Sequence, residues 1–154
     1  MLPQVEEAKH LMTEAMEWSV FSWLFQKSRV REAADRANVA LDRLSQSVKN
    51  SWSAEVKAAY SELMVEATGQ RRKTQSVKPS VDSDLQELLR KVRKADDAAH
   101  RARMTAEETF EVAERQLNTD LARKGCRQAI HSWELYERAI RRAEALPGSS
   151  KPAS

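Results

Sequence analysis

The chain contains very few residues that interrupt regular backbone structure: of its 154 residues, 3 are Gly and 4 are Pro. A β-sandwich or β-barrel of this length needs a turn every ten residues or so, and such turns favour Gly, Pro, Asn or Asp. Neither Gly nor Pro occurs from Gln4 to Thr68, from Ser80 to Lys124 or from Cys126 to Leu146. The scarcity of turn residues therefore excludes β architecture and predicts an all-α protein.

Cysteine is also scarce, because Cys126 is the only one in the sequence. An intramolecular disulfide is therefore excluded, and the spacing of Cys and His residues matches no zinc site. The sequence also lacks a large excess of either charge, because it has 26 Lys and Arg residues and 23 Asp and Glu residues. This balance makes nucleic acid a disfavoured partner, and the lone cysteine fits a reducing cytoplasm.

No hydrophobic run is long enough to cross a bilayer, which takes about 20 residues. The most apolar stretch, Ala15 to Phe25, has 11 residues. Acidic residues dominate the chain before it, which is the wrong charge for a secretory signal peptide. We expect a soluble, cytoplasmic protein.

Apolar residues recur at spacings of three and four along four segments, as in helices that bury one face. The segments are Gln4 to Gln26, Ser28 to Thr68, Ser83 to Lys124 and Cys126 to Leu146. Gly125 is predicted to end the third helix. Ser53 and Thr105 are both suited to starting a helix, and we hypothesise a hinge at these two places. Whether the long helices are continuous or broken there is left open by the sequence.

The order and lengths of these segments predict an antiparallel helical bundle of four main helices. The two long central helices form a hairpin roughly 60 Å long at 1.5 Å per residue. The short helices cover half of it, which leaves a coiled-coil-like arm of two helices. We expect one helical domain at 1–146, an exposed basic linker at 69–80 and a disordered tail at 147–154.

No pattern in the sequence indicates catalysis, a metal site or a cofactor. Three pairs of residues have the spacing of metal ligands on a helix: Glu7 with His10, Asp97 with His100, and His131 with Glu134. Their positions around the helix place them on solvent-facing sides, away from the apolar residues. Cys126 and His131 are five positions apart and so diverge by about 140° around a helix. Cys126 continues the apolar seam, which predicts a buried, unreactive thiol and a protein that is not an enzyme.

Two segments are candidate interaction surfaces. The linker residues Arg71, Arg72, Lys73 and Lys78 form a cationic stretch with no acidic residue. The aromatic residues Trp18, Phe21 and Phe25, followed by Lys27, Arg29 and Arg31, resemble a helix that lies on a membrane surface. For the aromatic segment, burial in the bundle core is the favoured interpretation.

We therefore predict a non-catalytic structural or protein–protein interaction module. The predicted arm has mostly alanine at its helix contact, so it buries little apolar area and would be marginally stable alone. We therefore expect a homodimer. The identity of any other protein partner is left open. The alternative is an adaptor that binds nucleic acid or an anionic membrane surface through the basic linker and the N-terminal aromatic and basic segment. Alanine replacement of Arg71, Arg72 and Lys73 separates the two, because an electrostatic binder loses salt-sensitive affinity.

Overall fold

The computed structural model describes residues 2–67 and 83–146, and the regular structure in these two ranges is entirely helical. Its helices are α1 (Pro3–Ala15), α2 (Val20–Asn50), α3 (Ala54–Ala67), α4 (Ser83–Gln116) and α5 (Thr119–Glu144). The predicted all-α helical bundle is confirmed, because these helices pack against one another. The predicted linker at 69–80 and the predicted tail at 147–154 lie outside the described residues.

Ion pairs between helices show that neighbours in the bundle run antiparallel. Lys9 of α1 pairs with Glu137 of α5 at 3.0 Å. Between α2 and α4, the α4 partner moves back along the chain by as many residues as the α2 partner moves forward. These pairs are Arg31–Glu114, Asp42–Arg103 and Lys49–Asp96, at 2.8, 3.1 and 2.9 Å.

The tightest packing in the bundle joins α4 to α5. Gly125 lies inside α5 and is buried, and a Cβ atom there would come within 2.9 Å of the Phe110 ring. The prediction that Gly125 ends a helix is therefore wrong. The missing side chain instead lets the aromatic ring of α4 approach the backbone of α5.

The predicted first helix, Gln4 to Gln26, is two helices separated by a turn at 16–19. Ser19 caps α2, since its hydroxyl accepts a hydrogen bond from the backbone N–H of Ser22 at 3.3 Å. Arg123 of α5 donates to the carbonyl oxygens of Met16 and Trp18, at 2.9 and 3.2 Å. Both carbonyls lie in the turn between α1 and α2. Arg123, which is distant in the sequence, therefore stabilises this turn.

The other predicted helix ends fare differently. The boundary between Gln26 and Ser28 is wrong, because α2 passes through it without interruption. The break before α3 is confirmed: the Ser53 hydroxyl accepts from the backbone N–H of Val56 at 3.3 Å. Of the two alternatives at Thr105, the continuous helix is the one observed: α4 runs through this position, and the Thr105 hydroxyl donates to the Arg101 carbonyl at 2.9 Å.

The core lies where α1, α2, α4 and α5 meet, and the residues of the last predicted helix that recur at spacings of three and four from Cys126 are buried throughout. These buried residues are Cys126, Ala129, Trp133, Tyr136, Ile140 and Ala143. At the junction of α2 and α3, the Trp52 indole N–H donates to the Ala143 carbonyl at 3.0 Å. Tyr60 of α3 donates to Asp96 of α4, so a side-chain hydrogen bond joins these two helices.

Candidate interaction surface and interhelical groove

The first turns of α2 expose large apolar side chains. Phe21 is 73% exposed and Phe25 is 85% exposed, and Val20, Leu24 and Leu117 beside them are also exposed. We call these five residues the aromatic patch. Single exposed apolar residues are common on protein surfaces, whereas a contiguous cluster marks an interaction site.

The prediction that this segment is bundle core is only partly right. Trp23 is buried and Trp18 is half-buried, and their rings meet edge to face at 5.4 Å. Phe21 and Phe25 lie one helical turn apart, and each is two positions from Trp23, which turns them about 200° away around the helix. Because Trp23 fills the core-facing position, the two phenylalanines face outward.

Next to the aromatic patch, a groove with a volume of about 280 Å³ lies between α2, α4 and α5. The two rims, α2 and α4, make few close backbone approaches, and their side-chain ion pairs span the gap. We call this space the interhelical groove. Its apolar lining includes Trp23, Val30, Phe110, Ala122, Ala129 and Trp133.

Polar groups are concentrated at the inner end of the interhelical groove. Asn38 is 6% exposed, and its Oδ1 accepts a hydrogen bond from the Trp133 indole N–H at 2.9 Å. Ser132 is buried, and its hydroxyl donates to the Ala129 carbonyl at 2.7 Å. An indole nitrogen can only donate, so the bond to Trp133 fixes the orientation of the Asn38 amide.

Charged residues lie on both rims of the interhelical groove, α2 and α4, and at its inner end. Arg31 and Glu114 form an ion pair across it at 2.8 Å. Arg103 contacts Asp42 at 3.1 Å and Glu107 at 3.5 Å. Burial alone would lower the pKa of Arg103, but hydrogen bonds to Tyr136 and Asp42 outweigh it and raise the pKa, so the guanidinium remains charged.

The structure places the predicted cationic residues of the N-terminal segment in different settings. Lys27 and Arg31 line the interhelical groove. Arg29 is exposed and donates to Gln26 at 3.0 Å. The other predicted interaction residues, Arg71, Arg72, Lys73 and Lys78, lie outside the described residues.

The histidines and the cysteine are not brought together. His10, His100 and His131 are exposed, and within 2–67 and 83–146 no three His, Cys, Asp or Glu side chains cluster as metal ligands would. Cys126 is buried, and burial raises the pKa of its thiol to about 12. The thiol is therefore protonated at neutral pH, which disfavours nucleophilic reactivity.

Sequence reasoning did not find the interhelical groove. The available signal was a set of small residues facing the same space from three helices: Ala34, Ala106, Ala113, Ala122 and Ala129. The spacing of apolar residues places Ala106, Ala113 and Ala129 on the buried seams of their helices, but it does not say how closely another helix approaches them. Between α2 and α4 the helices stand apart, so the same residue type leaves empty volume.

Within the described parts of the chain, no helix is both long and apolar enough to cross a membrane. No protein family model, no curated protein and no solved structure matches this sequence.

Proposed function

We propose that the chain is a non-catalytic protein-interaction module that associates with a second copy of itself through the aromatic patch. The observation that carries this proposal is the exposure of Phe21 and Phe25 on one face of α2, at 73% and 85%. Aromatic residues spaced by one turn on a helix are a recurrent anchor for helix-mediated binding.

The size of the patch indicates a weak interaction. A phenylalanine offers roughly 150–250 Å² of surface, so the two rings together expose on the order of 300 Å². Stable complexes bury about 800 Å² on each partner. The patch can therefore supply the apolar centre of an interface, and we expect a dimer that dissociates on dilution.

Charge supports a second copy as the partner. Acidic Glu14 and Glu17 precede the patch in the sequence, and basic Lys27 and Arg29 follow it; all four are exposed. A twofold axis that passes between Phe21 and Phe25 on the exposed face of α2 would pack the α2 helices antiparallel, placing Phe21 of one copy opposite Phe25 of the other. The same symmetry brings Glu17 of one copy towards Arg29 of its partner.

Sedimentation velocity across a range of about 5 to 500 µM tests the proposal, since weak interfaces dissociate within this range. We expect the wild-type average mass to rise with concentration, and the double variant Phe21→Ser/Phe25→Ser to remain monomeric. Val39→Ser is the matched control, because Val39 is exposed on α2 but lies outside the patch. A wild type that stays monomeric throughout, or a double variant that associates equally well, would refute self-association.

The exposed phenylalanines with Lys27 and Arg29 nearby also favour the membrane-surface alternative, and one added measurement distinguishes it. Vesicles of phosphatidylserine and phosphatidylcholine should not co-sediment with the protein if the patch serves self-association. Salt-sensitive vesicle binding that the phenylalanine substitutions abolish would assign the patch to an anionic membrane instead.

A further inference from the structure

The interhelical groove has the features of a ligand site that is distinct from the aromatic patch's outward face. Its volume of about 280 Å³ is close to the lower end of the usual range for small-molecule pockets, about 300–1,000 Å³. Bundles place ligands between facing helices, where apolar walls surround a few polar groups. Trp23, Phe110 and Trp133 supply aromatic walls here.

Two hydrogen-bond donors of groove-lining residues have no partner among the described residues: the buried Nε1 of Trp23, nearer the Val20 end, and the Nδ2 of Asn38 at the inner end. The Oδ1 atom of Asn38 is occupied by Trp133, which leaves the Nδ2 amide group. Asn38 lines the groove, and among the described residues no hydrogen bond from Nδ2 is found. A ligand with an acceptor oxygen would satisfy it, and leaving such a donor unpaired against an apolar ligand costs binding energy.

The shape of the groove selects a slender ligand. Its lining runs along α2 from Val20 to Asn38, which is about 27 Å at 1.5 Å per residue. The Arg31–Glu114 ion pair spans the gap between α2 and α4 at 2.8 Å. A helix is about 10 Å wide and could not lie between α2 and α4 without breaking this ion pair, so the intact pair favours a thinner, unbranched molecule.

The charges around the groove disfavour an anion. Asp35, Glu107, Glu111 and Glu114 line it, against Lys27, Arg31 and Arg103. Two of the three cations are already paired with carboxylates, Arg31 with Glu114 and Arg103 with Asp42 and Glu107. A carboxylate ligand would meet this acidic surplus without a free partner at the inner end.

We propose that the interhelical groove binds a neutral, unbranched apolar molecule with one carbonyl oxygen, which accepts a hydrogen bond from Asn38 Nδ2. The hydrocarbon chain lies between α2 and α4 against the alanines of α5 and points towards the open end at Val20 and Leu117. Val20, Leu24 and Leu117 belong to both the aromatic patch and the lining of the groove, whereas Phe21 and Phe25 do not line the groove. Substitution of the two phenylalanines therefore tests self-association without altering the groove.

Isothermal titration of the full chain with methyl ketones tests the proposal. We expect saturable one-to-one binding of 2-octanone, and affinity that rises about fourfold for each added methylene from 2-hexanone upward. Octanoate should bind more weakly than 2-octanone. An absence of saturable ketone binding, or tighter binding of octanoate, would overturn the assignment.

Two variants locate the ligand. Ala34→Leu places a larger side chain in the groove and should weaken 2-octanone binding at least tenfold, while Ala40→Leu, at a half-buried position of α2 outside the groove, should leave it unchanged. Asn38→Asp keeps the acceptor for Trp133 but removes the donor, and should weaken the ketone about fivefold. If Asn38→Asp does not fold, the comparison of Ala34→Leu with Ala40→Leu is still decisive: equal 2-octanone affinity in the two variants refutes binding in the groove.

The Phe21→Ser/Phe25→Ser variant should bind 2-octanone with wild-type affinity. Failure of self-association and failure of the groove to bind a ligand are therefore distinguishable.

Discussion

Leu117 ends α4 in a left-handed backbone conformation, with φ at 50°. The Asn118 N–H bonds back to the Ala113 carbonyl at 3.0 Å, which closes the last turn as a helix C-terminal cap does. Glycine is the usual residue at this position because a Cβ atom is crowded there. A leucine that is 62% exposed therefore carries backbone strain with little burial in return.

Leu117→Gly should raise the free energy of unfolding by about 0.5–1 kcal/mol, because it removes the Cβ crowding at a positive φ. Urea unfolding followed by circular dichroism measures the change. Glu108→Gly is the control: Glu108 is exposed in the interior of α4, so glycine there should lower stability by about 1 kcal/mol. Equal destabilisation by both substitutions would contradict the account of Leu117.

The turn between the last two helices lies at Leu117 and Asn118, and the sequence-based prediction placed it at Gly125 instead. Gly125 was the expected stop because glycine is the commonest helix terminator, yet it lies inside α5. The local signal at the true turn is Asn118, whose Oδ1 accepts from the backbone N–H groups of Asp120 and Leu121, at 3.0 and 3.2 Å. Asparagine is a good helix start, but only the packing of Phe110 on Gly125 shows what the glycine is for.

At the scale of elements, that packing couples α4 to α5. Alanine normally stabilises a helix interior relative to glycine by about 1 kcal/mol. At Gly125 the added Cβ would lie 2.9 Å from Cε1 of Phe110, closer than unstrained contacts allow. The gain in helix propensity and the displacement of the ring therefore oppose each other.

Gly125→Ala should be neutral or destabilising in the wild type and stabilising by about 1 kcal/mol in a Phe110→Ala background. The four proteins of this double-mutant cycle are compared by urea unfolding. Additive effects of the two substitutions would show that the Phe110 ring does not oppose a side chain at position 125.

Helix continuity is also decided by contacts between elements. The break at Ser53 is readable in the sequence because its cap is local, from Ser53 to Val56. The turn at 16–19 depends in addition on Arg123, which is far away in the sequence. Thr105 has the residue type of a cap, but its hydroxyl bonds to the Arg101 carbonyl within an uninterrupted helix.

At the scale of the whole molecule, two weakly acidic groups, the buried thiol of Cys126 and the half-buried phenol of Tyr60, link stability to alkaline pH. Burial raises the pKa of the Cys126 thiol to about 12. Burial, followed by the hydrogen bond and the charge of Asp96, raises the pKa of Tyr60 above its ordinary value. The native protein therefore keeps protons that the unfolded chain releases once pH exceeds about 8.5 for the thiol and about 10 for the phenol.

The free energy of unfolding should consequently fall as pH rises from 8 to 10.5, because the unfolded state binds fewer protons than the native state. Each group contributes at most about 1.4 kcal/mol per pH unit above its ordinary pKa. Urea unfolding at pH 8 and pH 10.5 measures the loss, which should be smaller in Cys126→Ala and in Tyr60→Phe. A loss of the same size in both variants and the wild type would contradict the assignment.

The sequence by itself determined that this protein is helical and which face of its last helix is buried. Backbone preference and the spacing of apolar residues are local properties, and seven Gly and Pro residues among 154 leave little room for other structure. They also located the break at Ser53.

The tertiary structure decided which apolar residues remain outside and where the bundle is open. Trp23 takes the buried position that leaves Phe21 and Phe25 exposed, and this depends on where α1 ends. Alanines on α4 and α5 allow close packing where these two helices face each other. Alanines on the same helices line the interhelical groove where α2 stands apart. Distances between helices depend on side chains remote in sequence, and no local pattern encodes them.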